Sequence, residues 1–255
     1  MRGGARPSRA WWGAGAALAG IIALAVLAIP FAGWVAVESI PERVIDTRGT
    51  SAVPTIGTVH FGGPGVPDGA LRALLLSRIR ATPPGQSIDW ATYYFLDAEL
   101  AQALIDASDR GVRVRLVVEG DPRLEGANGA VLERLRRDGL RGGLTIRAPA
   151  MRLLRPLAGK LHTKIYAFSW PRPVALVGSF NPSGGTGDDA PRIAEEIGDQ
   201  DRGHNLLVEI TSPGLVAKLV DHVANLARHG GSIHRFSAED NRTYRDRDTR
   251  LYFYP

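Results

Sequence analysis

Between Asp68 and Arg147 the apolar residues alternate between two periods, and this alternation restricts the fold more than any other feature of the chain. After the loop GGPGVPDG, Leu71, Leu74, Leu75 and Ile79 share one face of a helix that starts at Asp68 and stops before Pro83-Pro84-Gly85. A strand runs from about Ile88 to Phe95. Asp97 caps a helix carrying Leu100, Leu104 and Ile105, and Gly111 ends it. Val112 to Val118 reads as a second strand, GANGAVLERLRRDG as an amphipathic helix, and Leu144 to Arg147 as a third, short strand. Strands alternating with helices predict a mixed, mostly parallel sheet covered by helices, an α/β/α sandwich.

The next two runs break the alternation. LHTKIYAF and PVALVGSFN are both β-prone and flank the turn-rich Ser169-Trp170-Pro171-Arg172-Pro173, which predicts a β-hairpin. Residues two apart in a strand face the same side, so His162 and Lys164 project together, as do Ser179 and Asn181. These four side chains suit a phosphate diester. A neutral imidazole can attack phosphorus and form a phosphohistidine. Lys164 brings a point charge with three donors and Asn181 an amide NH2, both useful to the equatorial oxygens. Ser179 can bond an oxygen or orient a neighbour, and the backbone at Gly178 can approach a ligand closely. Tyr93 and Tyr94 end a strand near this place and read as packing residues. Further on, Asn205 to Thr211 forms another strand and Pro213 to Arg228 a helix.

His162, Lys164, Gly178, Ser179 and Asn181 match the signature His-x-Lys-x4-Asp followed by Gly-Ser/Gly-x-Asn, and the chain resembles the phospholipase D superfamily. The upstream stretch SIDWATYYFLDAELAQALIDASDRGVRVRLVVEG is similar too, and the likeness runs from about Phe61 to Arg228. It implies the half-domain fold of that family and metal-independent catalysis through a phosphohistidine, with no cofactor and no metal. Two positions depart from the pattern. Ser169 stands where the family has the Asp of its motif. His204 stands where members place an acidic residue that orients the nucleophile, with Asp199, Asp201 or Glu209 as substitutes. Ser169 and His204 are therefore candidates for orienting roles. The family site uses two copies of the motif and this chain shows one. A homodimer or a second-half partner would complete it, and TRLYFYP at residues 249–255 resembles the strand that opens the second half.

Residues Ala10 to Val37 include no charged side chain, and three Trp lie near the ends of the run. A helix of that length would span a hydrocarbon core of about 30 Å. Arg2, Arg6 and Arg9 precede it, so the positive-inside rule places the N-terminus in the cytoplasm and the folded part outside a cell membrane crossed once. The expected organisation is a basic tail over 1–10, a transmembrane signal anchor over 11–37 and a linker over 38–60. The catalytic half follows over 61–231, then a charged connector and the start of a second half over 232–255. Cysteine is absent, which excludes disulfides and thiol nucleophiles. The formal net charge of +5 suits an anionic partner. Anchoring favours phospholipid as the substrate of a phosphodiesterase or phosphatidyltransferase. The alternatives are a nuclease acting on nucleic acid, or an inactive anchored half that serves as a binding module.

Overall fold

The computed structural model describes residues 43–47, 54–63, 65–67, 69–123, 128–147, 160–182, 204–228 and 242–253. Its centre is a seven-stranded sheet in the order β2-β8-β7-β6-β3-β4-β5. The strands are β2 (Ile56–Gly62), β3 (Ser87–Thr92), β4 (Arg113–Glu119), β5 (Leu144–Arg147), β6 (Ile165–Phe168), β7 (Val174–Gly178) and β8 (Asn205–Ile210). Helices α1 (Ala70–Ala81), α2 (Ala98–Asp109), α3 (Gly129–Asp138) and α4 (Pro213–Arg228) cover it.

The sheet is mixed, but the expectation of mostly parallel pairing is corrected. Only β3–β4 and β4–β5 are parallel, whereas β3–β6, β6–β7, β7–β8 and β8–β2 are antiparallel. A parallel pair needs a long crossover. The helices α2 and α3 supply those crossovers for β3, β4 and β5, while β6 and β7 are joined by the short turn through residues 169–173.

The period of two assigns each strand residue to a layer. Trp90, Leu116, Tyr166 and Leu176 face the core shared with α1, α2 and α3. Their neighbours Ala91, Val117, Ala167 and Ala175 face α4, which packs through Val216, Leu219 and Val223. Large side chains fill one side, and small ones let α4 lie close on the other. The Asp97 carboxylate accepts from Leu100 N at 2.9 Å, which caps α2 as its sequence predicts.

A second sheet joins β1 (Arg43–Asp46), β9 (Arg242–Asp246) and β10 (Thr249–Tyr252) in the order β1-β9-β10. It packs on α4, where Phe253 stacks on His222 at 4.1 Å. The stretch read as a linker over 38–60 thus contains β1 and the start of β2, and the run read as a connector contains β9 and β10.

The membrane-spanning helix expected over 11–37 is also corrected. Among the described residues no helix is long and apolar enough to cross a membrane. The segment 11–37 itself lies outside the described residues.

Candidate active site

The ends of five strands meet at one edge of the large sheet. The C-terminal ends of β3, β4 and β7 lie there with the N-terminal ends of β6 and β8, as the registers Ala91↔Ile165, Ile165↔Val177 and Gly178↔Leu207 require. An open cleft of about 860 Å³ occupies this edge. Tyr93, Tyr94, Arg123, Lys160, His162, Lys164, Gly178, Ser179 and Asn181 line it. The motif residues therefore come together, although not as strand neighbours. β6 begins only at Ile165 and β7 ends at Gly178, so His162 and Lys164 precede one strand while Ser179 and Asn181 follow the other.

Each side chain has a fixed setting. The Lys164 ammonium is buried, donates to the His162 carbonyl oxygen at 2.8 Å and lies 5.6 Å from the centre of the Tyr93 ring. Burial lowers its pKa to about 8. The His162 ring meets Tyr93 edge-on at 5.1 Å. Desolvation, followed by the Lys164 charge, holds this imidazole below the ordinary histidine range. Both causes favour the neutral imidazole, the state a nucleophile needs. The Asn181 Oδ1 accepts from Tyr94 N at 3.3 Å, which makes Nδ2 its donor end.

Gly178 lines the cleft, and the sheet also requires a glycine there: a Cβ would lie 2.0 Å from the Leu206 carbonyl oxygen. The Ser179 hydroxyl is committed to β8, donating to Asn205 Oδ1 at 3.0 Å and accepting from Leu206 N at 3.1 Å. Ser169 lies at the opposite end of β6. It accepts from Ser87 N and donates to Gln86 Oε1, both at 2.8 Å, and does not orient the imidazole.

His204 is exposed beside β8 and does not line the cleft. Of its substitutes, Glu209 is held by His60 at 3.2 Å and Arg78 at 2.6 Å, away from His162. Asp199 and Asp201 lie outside the described residues. Among the described residues no carboxylate bonds the His162 ring.

Sequence reasoning missed the frame behind the cleft. Glu119, buried at the end of β4, accepts from Asp121 N at 2.9 Å and from Leu161 N at 2.7 Å, next to His162. Asn128 accepts from Phe95 N and donates to the Tyr93 and Glu119 carbonyl oxygens, all at 2.9 Å. Tyr166 donates to the Phe180 carbonyl oxygen at 2.7 Å, and Leu96 N donates to the Pro182 carbonyl oxygen at 2.7 Å. Both sides of Asn181 are thereby tied down. The apolar setting of Glu119 in RVRLVVE, a carboxylate ending a buried strand, was the signal available.

Residues 75–189 match the family described as "Cardiolipin synthase, PLD-like domain". Among solved structures, Nuc from Salmonella typhimurium, a phospholipase D family member, is 21% identical over 69% of this chain and 96% of its own, with a TM-score of 0.48. NucT from Helicobacter pylori is 11% identical over 68% of this chain and 96% of its own, with a TM-score of 0.46. No curated protein matches the chain.

Proposed function

We propose that the chain, which carries a phospholipase D-like domain over residues 75–189, is a phosphodiesterase that works through a phosphohistidine formed on His162. The observation that carries this reading is the convergence of His162, Lys164 and Asn181 on one open cleft whose lining, among the described residues, includes no carboxylate. A ring nitrogen of neutral His162 attacks phosphorus. A P–N bond forms, the bond from phosphorus to the leaving alcohol oxygen breaks, and a general acid protonates that oxygen. Lys164 and the Asn181 amide stabilise the charge that grows on the equatorial oxygens. Water or a second alcohol then cleaves the P–N bond.

His162 is the one imidazole lining the cleft among the described residues. The acid for the leaving group comes from a second motif copy, and a second copy of this chain is the simplest source.

Phospholipid is the substrate favoured by an exposed apolar strip on β2 and β8. Leu206 bonds the cleft residue Ser179 through its backbone and is exposed, as are its cross-strand neighbour Phe61 and Val59 on β2. Such a strip on the strands next to a diester site suits a lipid headgroup and its chains, and the matching family takes its description from cardiolipin synthase. Nucleic acid is the second reading, favoured by Arg123 and Lys160 on the opposite wall.

The test is His162→Ala against wild type, with phosphatidylglycerol vesicles and with plasmid DNA, each with and without chelator. Turnover and an acid-labile phosphorylated enzyme should both vanish in the variant and survive chelation in wild type. Turnover that persists without the imidazole would overturn the reading.

A further inference from the structure

The motif accounts for one phosphate, but the wall formed after β4 adds cationic groups that the motif does not use. Its backbone is held at every step. Gly120 N donates to the Arg147 carbonyl oxygen at 2.6 Å, Asp121 N to Glu119 at 2.9 Å, and Arg123 N to the Tyr93 hydroxyl at 2.5 Å. The same Tyr93 ring touches His162 and underlies the Lys164 ammonium. Arg123 and the catalytic pair are thus indexed to a single aromatic side chain, and all line one cleft.

The two wall cations differ in their state. Lys160 is neutralised, since its Nζ lies 2.7 Å from Asp121 Oδ2. Arg123 is exposed, and among the described residues no carboxylate or carbonyl engages its guanidinium. A planar fork of donors on a backbone held by Tyr93, with its charge unanswered among the described residues, matches an oxyanion in shape and sign.

From this juxtaposition we infer that Arg123 forms a second phosphate subsite, so that the preferred diester carries another phosphate in the same molecule. The inference rests on the phosphodiesterase reading above, and it adds a preference that the His-Lys-Asn group alone does not explain. Two sources share this chemistry: a lipid whose headgroup is itself phosphorylated, and a nucleotide with a neighbouring phosphate.

Two substrate pairs, each differing by one phosphate, test it. One is thymidine 5′-(4-nitrophenyl phosphate) with and without a 3′-phosphate. The other is phosphatidylglycerophosphate against phosphatidylglycerol, presented in vesicles of otherwise equal charge. Wild type should favour the doubly phosphorylated member of one pair by about tenfold or more in kcat/KM, and the pair that shows this identifies the source. Arg123→Ala should bring that ratio close to one. Arg123→Lys, which keeps the charge and loses the fork, should fall between. A ratio near one in both pairs for wild type, or a ratio that Arg123→Ala leaves intact, overturns the subsite.

Should wild type turn over none of these, the phosphodiesterase reading fails separately, and calorimetry with pyrophosphate and orthophosphate still decides the subsite. Tighter pyrophosphate binding that Arg123→Ala abolishes supports it, and equal binding refutes it.

Discussion

Replacing Lys164 with methionine should remove activity and yet stabilise the protein. The lysine sits 5% exposed among the strands, with the His162 carbonyl oxygen as its hydrogen-bond acceptor and the Tyr93 ring nearby. Burial lowers its pKa from 10.5 to about 8. A drop of about 2.5, at about 1.36 kcal/mol for each, means that holding the charge in the folded state costs about 3 kcal/mol at neutral pH. The ammonium opens onto the cleft, where water screens it, and about 2 kcal/mol is the better expectation for Lys164→Met. In a domain of this size that corresponds to a rise in Tm of roughly 4–8 °C. The sign follows from linkage. The folded pKa lies below the unfolded one, so the cost is fully present below about pH 8 and fades as the pH rises toward 10.5. The gain on substitution should fade over the same window. Thermal melts of both proteins at pH 7 and at pH 10 read this directly. An unchanged or lowered Tm at pH 7, or a gain equally large at pH 10, would refute the argument that a buried charge is kept here at the expense of stability.

Two further substitutions probe the frame. Gly178→Ala places a methyl group 2.0 Å from the Leu206 carbonyl oxygen, so β7 and β8 must separate; a loss of about 3 kcal/mol is expected in urea denaturation. Asn128→Ala strands the buried Phe95 N–H and frees the Tyr93 and Glu119 carbonyl oxygens. It should cost about 3 kcal/mol and, because Tyr93 backs His162 and Lys164, lower kcat more than it changes KM.

Much of this architecture was legible in the sequence because a residue's period reports its burial. The helix through Leu71, Leu75 and Ile79, the cap at Asp97, the strand at Leu144 and the helix from Pro213 all follow from local patterns. Strand direction was not local. Whether β6 runs parallel or antiparallel to β3 depends on which connection returns the chain, and the apolar run Ile165–Phe168 is the same in either case. The stretch ending in β2 looked irregular because β2 is an edge strand with exposed Ile56, Val59 and Phe61, which leaves little alternation to detect. At the site, the spacing of His162 with Lys164 and of Ser179 with Asn181 picked out residues that line one cleft, though the period-two reason did not hold once the strands stopped short of them. Of Glu119 only its place at the end of an apolar strand was legible; that it braces Leu161, and Asn128 braces Tyr93 and Phe95, was not, because these backbone partners are distant in sequence.

One rule accounts for the division of labour at the cleft. The buried polar side chains around it bond to backbone: Glu119 to Leu161 and Asp121, Asn128 to Tyr93, Phe95 and Glu119, and Tyr166 to Phe180. Groups that bond to backbone set position without consuming the donors that must meet a substrate. The contrast with the opposite end of the same strands is direct. There the Ser169 hydroxyl closes onto Gln86 and Ser87 and is spent within the sheet. Ser169 thus belongs to the end of the sheet that holds the hairpin in register, away from the cleft.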